Sequence, residues 1–229
     1  MFEKIRAFAD MGRTQGVTTS ASVTIVGALT STAQIEWYHL VYFTILLAIG
    51  HMTLNIHIAL GDLKIDDHTY VPSRNPVISG VLTKKDAKNF VNGGIISLTI
   101  LVLLLFFFIE FNYALLAGLC SIPAYAWLAW YGWKGKKYVV SYDYSFSVSY
   151  AFAVLFGVFV LGGMPTIYTW IFIGVVFFAA TAFAQWENAL KDADADRSGG
   201  VKSFAILTGV RRTHLMGCLI IPTILFYIL

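Results

Sequence analysis

Two stretches of the chain carry the residue types that could do chemistry. The first, HMTLNIHIALGDLKIDD, holds His51, Asn55, Asp62 and Asp66. At about 100° per residue these four fall within about 60° of one another on a continuous helix. The second, TAFAQWENALKDADADRSGGVKS, holds Gln185, Asn188, Asp192 and Asp196. The same arithmetic puts them within about 80° on one face. Each stretch contains a D-x-x-x-D pair, and a glycine-containing segment with a cation follows each pair, Arg74 to Gly80 and Arg197 to Lys202. Asp67 and Asp194 fall off these faces and read as solvated charge.

Carboxylates at i and i+4 repel by a few tenths of a kcal/mol on a helix. Near hydrocarbon each costs far more, ~2.5–3.5 kcal/mol at a helix centre. Two such pairs imply a compensating cation. Oxygen-only ligands suit Mg²⁺, which keeps several waters and takes one or two carboxylates plus substrate phosphates. Lys191, Arg197, Lys202 and Arg74 are placed to take the remaining phosphate oxygens. Tyr131 and Tyr138 flank the cluster Lys134, Lys136 and Lys137, and either hydroxyl could hydrogen-bond a phosphate. The ligand outlined is a diphosphate, bridged to the protein through metal ions, with its tail in a membrane.

The elements that position these residues follow from composition. Of 229 residues, 58% are hydrophobic and only 13% charged, whereas a soluble domain carries about 25% charged residues. That excludes an ordinary soluble enzyme, a disordered chain and a nucleic-acid-binding module. Cys120 and Cys218 sit in apolar runs and read as buried hydrophobes. A spanning helix needs about 20 apolar residues. Seven stretches qualify, near 17–35, 38–60, 90–109, 112–131, 145–163, 166–186 and 213–229. The fold class expected is all-α, a multi-pass transmembrane helix bundle of about seven spans forming one domain over 1–229. Residues 1–16 read as an interfacial helix.

All sixteen Lys and Arg fall at the N-terminus, in 61–88, in 134–137, in 191–202 and at 211–212. Seven spans put every one of these places on one side. The opposite connections, near 36–39, 110–112 and 163–166, carry none. The positive-inside rule then sets the N-terminus and both long loops, 61–89 and 187–212, in the cytoplasm, where the loops form a cap. The membrane expected is a plasma membrane or an organellar inner membrane, with the site facing the cytoplasmic side.

The segment NALKDADADRSGGVKSFAILTG resembles the second aspartate-rich motif of the UbiA superfamily of intramembrane prenyltransferases, through Asn188, Asp192, Asp196 and Lys202. The segment DLKIDDHTYVPSRNPVISGVLTKKDA resembles the first, through Asp62, Asp66, Asn75, Pro76, Ser79 and Gly80. The order of spans agrees, and the resemblance runs from about 17 to 212. Two features depart from the family pattern. Ile58 and Ala59 stand where an Asn-Asp usually begins the first motif, with Asn55 or His51 one or two turns earlier as substitutes. The family usually has nine helices rather than seven.

The resemblance implies two Mg²⁺ ions held by Asp62, Asp66, Asp192 and Asp196 as the catalytic and metal-binding residues. It implies an allylic isoprenyl diphosphate bound with help from Asn188 and Lys202, to which position in the sequence adds Arg197, Lys191, Asn55, Arg74, His51 and Tyr131 as candidate contacts. The prenyl group then passes to a lipophilic acceptor, an aromatic ring or a lipid alcohol. The partners implied are these substrates and membrane lipids, with no nucleic acid and no protein partner. A terpene synthase of the same superfamily, a non-catalytic diphosphate-lipid binder or transporter, and an inactive relative are the competing readings. Acids clustered at one mouth, rather than at mid-bilayer on broken helices, argue against transport.

Overall fold

The computed structural model describes residues 2–34, 36–63, 75–186, 189–190, 193, 197, 200–209 and 211–219. Asp66, Arg74, Asn188, Lys191, Asp192 and Asp196 lie outside the described residues. Within them the regular structure is helical throughout. The helices are α1 (Phe2–Met11), α2 (Gln15–Leu29), α3 (Trp37–Gly61), α4 (Lys84–Phe108), α5 (Phe111–Trp133), α6 (Val139–Val160), α7 (Ile167–Ala179) and α8 (Phe204–Thr208). A π-helical segment, Ala180–Trp186, continues α7, and a final helix, α9, covers 211–219. Among the described residues four helical stretches, Trp37–Gly61, Lys84–Phe108, Phe111–Trp133 and Asp143–Val160, are long and apolar enough to cross a membrane, and Ile167–Ala182 is a shorter apolar helix. These coincide with the second to sixth apolar stretches of the sequence.

Helix starts follow local chemistry. Thr83 and Asp86 form a reciprocal capping box at α4, and Thr166 and Thr169 form one at α7. Each satisfies two backbone donors that a helix start otherwise leaves open. The bundle is centred on α6. Just over half of its spanning window is buried, 56%, against 17–33% in the three other long spans. Phe43, Phe156, Val158 and Ala28 form the core between α2, α3 and α6.

Apolar surface gives little reason for helices to associate within lipid, so close backbone approach at small residues has to hold them. A Cβ on Gly157 would lie 2.6 Å from the Thr24 side chain, and one on Gly27 would lie 2.5 Å from Val154. These two crossings lock α2 onto α6. At the end of α3, a Cβ on Gly61 would collide with the carbonyl oxygen of Gly132, and one on Gly132 would lie 3.0 Å from the Ile58 backbone. Gly61 and Gly132 thus bring the ends of α3 and α5 into backbone contact.

The two ends of the bundle differ in the way the cations foretell. At one end the connections carry hydroxyls: Thr32 N–H donates to the Met164 carbonyl at 3.2 Å, and Thr166 Oγ1 donates to the Thr30 carbonyl at 2.5 Å. At the other end sit Lys4, Asp86, Asp62, Lys136 and Lys202. There α1 packs its Ala7 and Met11 against Ile56, Leu82, Ala87 and Val91, and Lys4 bridges to Asp86 at 3.1 Å. The expected interfacial helix is therefore docked on the polar end of α3 and α4.

Candidate functional site

The backbone contact at Gly61 sets the site. Asp62 caps α3, its N–H still bonded to the Ile58 carbonyl at 3.0 Å. Across the crossing, α5 ends at Trp133 and a 3₁₀ turn, Gly135–Lys137, follows. That turn delivers the Lys136 ammonium to the Asp62 carboxylate at 2.5 Å, with side-chain exposures of only 17% and 15%. The ammonium also stands 5.3 Å from the ring centre of Tyr131, which is buried and meets Phe146 edge to face. A carboxylate, a cation and an aromatic face thus meet at one shielded mouth.

Both acid-bearing segments converge here. Ile58 of α3, Tyr131 of α5, Ala189, Val201 and Ala205 form one buried cluster. Ala189 lies three residues before Asp192, and Ile58 four before Asp62. Lys202 N–H donates to the Lys136 carbonyl at 2.9 Å, so the chain after the second motif is tied to the 3₁₀ turn by its backbone. The Lys202 side chain and Arg197 are exposed. The same loop is anchored on its far side by Asp143, which is 1% exposed and accepts the Phe204 N–H at 2.8 Å. Asn75 performs the matching task after the first motif. Its Nδ2 donates to the Ala59 carbonyl at 3.3 Å and its Oδ1 accepts the Val77 N–H at 3.1 Å, closing the end of α3. Gly80 in that segment has φ +79°, a conformation that favours glycine.

Beneath the mouth lies a cavity of about 630 Å³ between α2, α3, α4, α5 and α6. Its wall is mainly apolar, with Ile58 shared between it and the cluster beside Asp62. Asn55 and His51 line it, as the sequence stripe requires. Asn55 is buried and donates through Nδ2 to the His51 carbonyl at 2.8 Å. Both His51 ring nitrogens are engaged within the chain. Nε2 donates to the Arg13 carbonyl at 3.0 Å, which leaves Nδ1 of the neutral ring to accept from Ser20 Oγ at 2.9 Å. His57, off the stripe, donates to the Ala129 carbonyl at 3.1 Å and ties α3 to α5.

One feature departs from the arithmetic of the sequence. The first stripe assumes a helix continuing past Gly61, whereas α3 ends there and Asp62 is its cap. The second stripe begins at Gln185, within the π-helical Ala180–Trp186, and its other members, Asn188, Asp192 and Asp196, lie outside the described residues. Sequence reasoning singles out Lys136 only as one of three lysines that a positive-inside signal mainly explains, with a phosphate contact as the alternative, and gives no sign of its pairing with Asp62. It misses Asp143, which stands alone in an apolar helix.

Among the described residues Asp62 is the one acid of the four expected metal ligands, and no group of three metal-ligating side chains forms there. Asp62 offers a shielded carboxylate oxygen, the hard donor type that Mg²⁺ takes, and it is held here by the Lys136 ammonium beside the cluster that contains Ala189 and Val201.

Comparison with known proteins identifies the family and the fold. The sequence profile of the UbiA prenyltransferase family matches residues 19–229. Comparison with the curated proteins returns no match. Among solved structures the chain is similar to a UbiA homolog from Archaeoglobus fulgidus bound to GPP and Mg²⁺. The TM-score is 0.77 at 15% identity, over 96% of this chain and 76% of that one. It is also similar to the apo structure of a UbiA homolog from Aeropyrum pernix K1, with a TM-score of 0.74 at 19% identity over 94% and 80%. A digeranylgeranylglyceryl phosphate synthase aligns with a TM-score of 0.69 at 18% identity over 99% and 76%.

Proposed function

The chain belongs to the UbiA prenyltransferase family, and from that premise we propose that it is a Mg²⁺-dependent intramembrane prenyltransferase acting on an allylic isoprenyl diphosphate and a lipophilic acceptor. The observation that carries this reading is the continuity of the Asp62 mouth with the apolar cavity through Ile58. A charged head and a hydrocarbon tail each meet a matching surface, one directly beneath the other.

The proposed roles follow from position. Asp62, Asp66, Asp192 and Asp196 would hold two Mg²⁺ ions, which would supply charge neutralisation for the diphosphate leaving group. Lys136, already at the mouth, moves from Asp62 onto the diphosphate, joined by Lys202, Arg197, Lys191, Arg74 and Asn188. The Tyr131 ring packs beside the first carbons of the prenyl chain and offers its face to developing positive charge. Asn55 and His51 shape the upper and middle cavity. The allylic C–O bond breaks with its electron pair leaving on diphosphate. The acceptor supplies the pair for the new bond and then gives up a proton to the released diphosphate. An apolar wall keeps water from the cation in the meantime. The cavity volume lies within the ~300–1,000 Å³ usual for small-molecule sites. The relatives bound to DMAPP or GPP with Mg²⁺ support the same assignment.

The test is release of diphosphate from geranylgeranyl diphosphate in detergent or proteoliposomes, with and without Mg²⁺. The reading predicts Mg²⁺-dependent release that Asp62→Asn abolishes. Release that ignores both Mg²⁺ and Asp62 would overturn it.

A further inference from the structure

The cavity holds two hydroxyls that the fold leaves without a partner. Ser149 on α6 is 6% exposed, and its Oγ finds no hydrogen-bond partner among the described residues. The hydroxyl of Tyr125 on α5 is in the same condition. Both residues line the cavity. Of the nearby hydroxyls, Ser147 Oγ and Thr181 Oγ1 lie 2.6 Å apart and Ser121 donates to the Gly118 carbonyl at 2.7 Å, whereas Thr53 Oγ1, which also finds no partner among the described residues, does not line the cavity. A helical serine usually closes its bond on a carbonyl one turn back, and Ser149 does not. A buried, unmade hydrogen bond is destabilising, and alanine at 149 would avoid it.

The height of Ser149 in the bundle suggests what it serves. Tyr131 and Phe146 are in contact, and both pack in the cluster that contains Ile58. These three residues mark one level, just under Asp62. Ser149 lies three residues below Phe146 on α6, and Asn55 three below Ile58 on α3. Both are therefore about 5 Å deeper. Tyr125 lies six residues below Tyr131, about 9 Å deeper. A diphosphate at Asp62 puts the first prenyl carbons near the Ile58 level. The orphaned Ser149 hydroxyl then sits one turn below the reacting carbon, where an acceptor oxygen needs a hydrogen-bond partner.

We propose that Ser149, with Tyr125 as a deeper second contact, is the binding subsite for the oxygen of a hydroxyl-bearing lipophilic acceptor. The assignment of the ligand as an acceptor rests on the prenyltransferase reading. The hydroxyl recognition itself does not. A phenol and an aliphatic alcohol share the required chemistry, and the experiment separates them.

Wild type, Ser149→Ala and Tyr125→Phe are purified in detergent and titrated without metal, with binding followed by thermal stability. The probes are 4-nonylphenol against nonylbenzene, and 1-dodecanol against dodecane. Wild type binds at least one hydroxyl probe about three- to tenfold more tightly than its hydrocarbon counterpart, the worth of one hydrogen bond. Whichever pair shows the difference identifies the acceptor class. In Ser149→Ala the two members of that pair bind alike, and Tyr125→Phe narrows the gap. The ligand-free Ser149→Ala protein melts higher than wild type, by about 2 °C, because an unsatisfied hydroxyl has gone. A hydroxyl preference that survives in Ser149→Ala overturns the proposal, as does its absence for both pairs in wild type. A lower melting temperature for Ser149→Ala, the signature of a purely structural serine, does so too. In parallel, geranylgeranyl diphosphate with Mg²⁺ is added to wild type alone. Failure of that arm overturns the prenyltransferase reading, and the hydroxyl preference is judged independently of it.

Discussion

Replacing Lys136 by methionine removes the ammonium while keeping most of the side-chain volume. At 2.5 Å and an effective dielectric near 20, the gross attraction between the two charges is about 6–7 kcal/mol. Desolvating both ions offsets much of it. Removing one member of a buried pair nevertheless costs ~3–5 kcal/mol, because the remaining charge stays shielded. The two side chains keep 17% and 15% of their exposure, which lowers the expectation to about 3 kcal/mol. The double variant with Asp62→Asn recovers most of this, a coupling of about 2 kcal/mol in a double-mutant cycle. On the proposed metal site Lys136 and a divalent cation would compete for the same oxygen, so Mg²⁺ alone is expected to stabilise Lys136→Met more than wild type. The assay is thermal or denaturant unfolding in detergent, with and without Mg²⁺. A loss under about 0.5 kcal/mol, the level of an exposed pair, would refute the shielded mouth. Additive single and double variants, or equal Mg²⁺ effects, would refute the competition.

Other expectations follow from the same geometry. Gly61→Val drives a side chain into the Gly132 carbonyl and lowers stability by ~1–3 kcal/mol; because the crossing also seats Asp62, it weakens Mg²⁺-dependent binding of geranylgeranyl diphosphate, whereas unchanged binding would show that the contact is irrelevant to the site. Asp143→Ala orphans the Phe204 N–H, so stability falls by ~1–3 kcal/mol and KM for the diphosphate rises through the loosened loop; limited proteolysis within 200–209 that matches wild type would count against it. Asp192→Ala and Asp196→Ala each abolish turnover while membrane insertion persists, and wild-type activity in purified Asp192→Ala would dismiss the two-metal assignment.

Much of the architecture was legible because hydrocarbon imposes so coarse a rule. The stretches 38–60, 90–109 and 112–131 reappear as α3, α4 and α5 within a few residues at most boundaries. Thr83 with Asp86 is a capping signature that can be read directly. The asymmetry of cations likewise reappears as two chemically distinct ends. The site was legible only as far as it is local. Asn55 and His51 share a face because helical periodicity says so, and both line the cavity. The partner of Asp62 was not legible. Lys136 is brought to it by the Gly61–Gly132 crossing, a contact between backbones distant in sequence. The π-helical turn before the second acids leaves no periodic trace either. Ser149 looks like one small residue of several in SYDYSFSVSY; only its burial and its missing partner distinguish it.

The most direct test of the central claim is thermal stability in detergent with geranylgeranyl diphosphate, with and without Mg²⁺, measured alongside diphosphate release. The account predicts a stability gain that requires both ligand and metal, accompanied by release, with both lost after chelation and in Asp62→Asn. A protein neither stabilised nor turned over by any prenyl diphosphate in the presence of Mg²⁺ would contradict it.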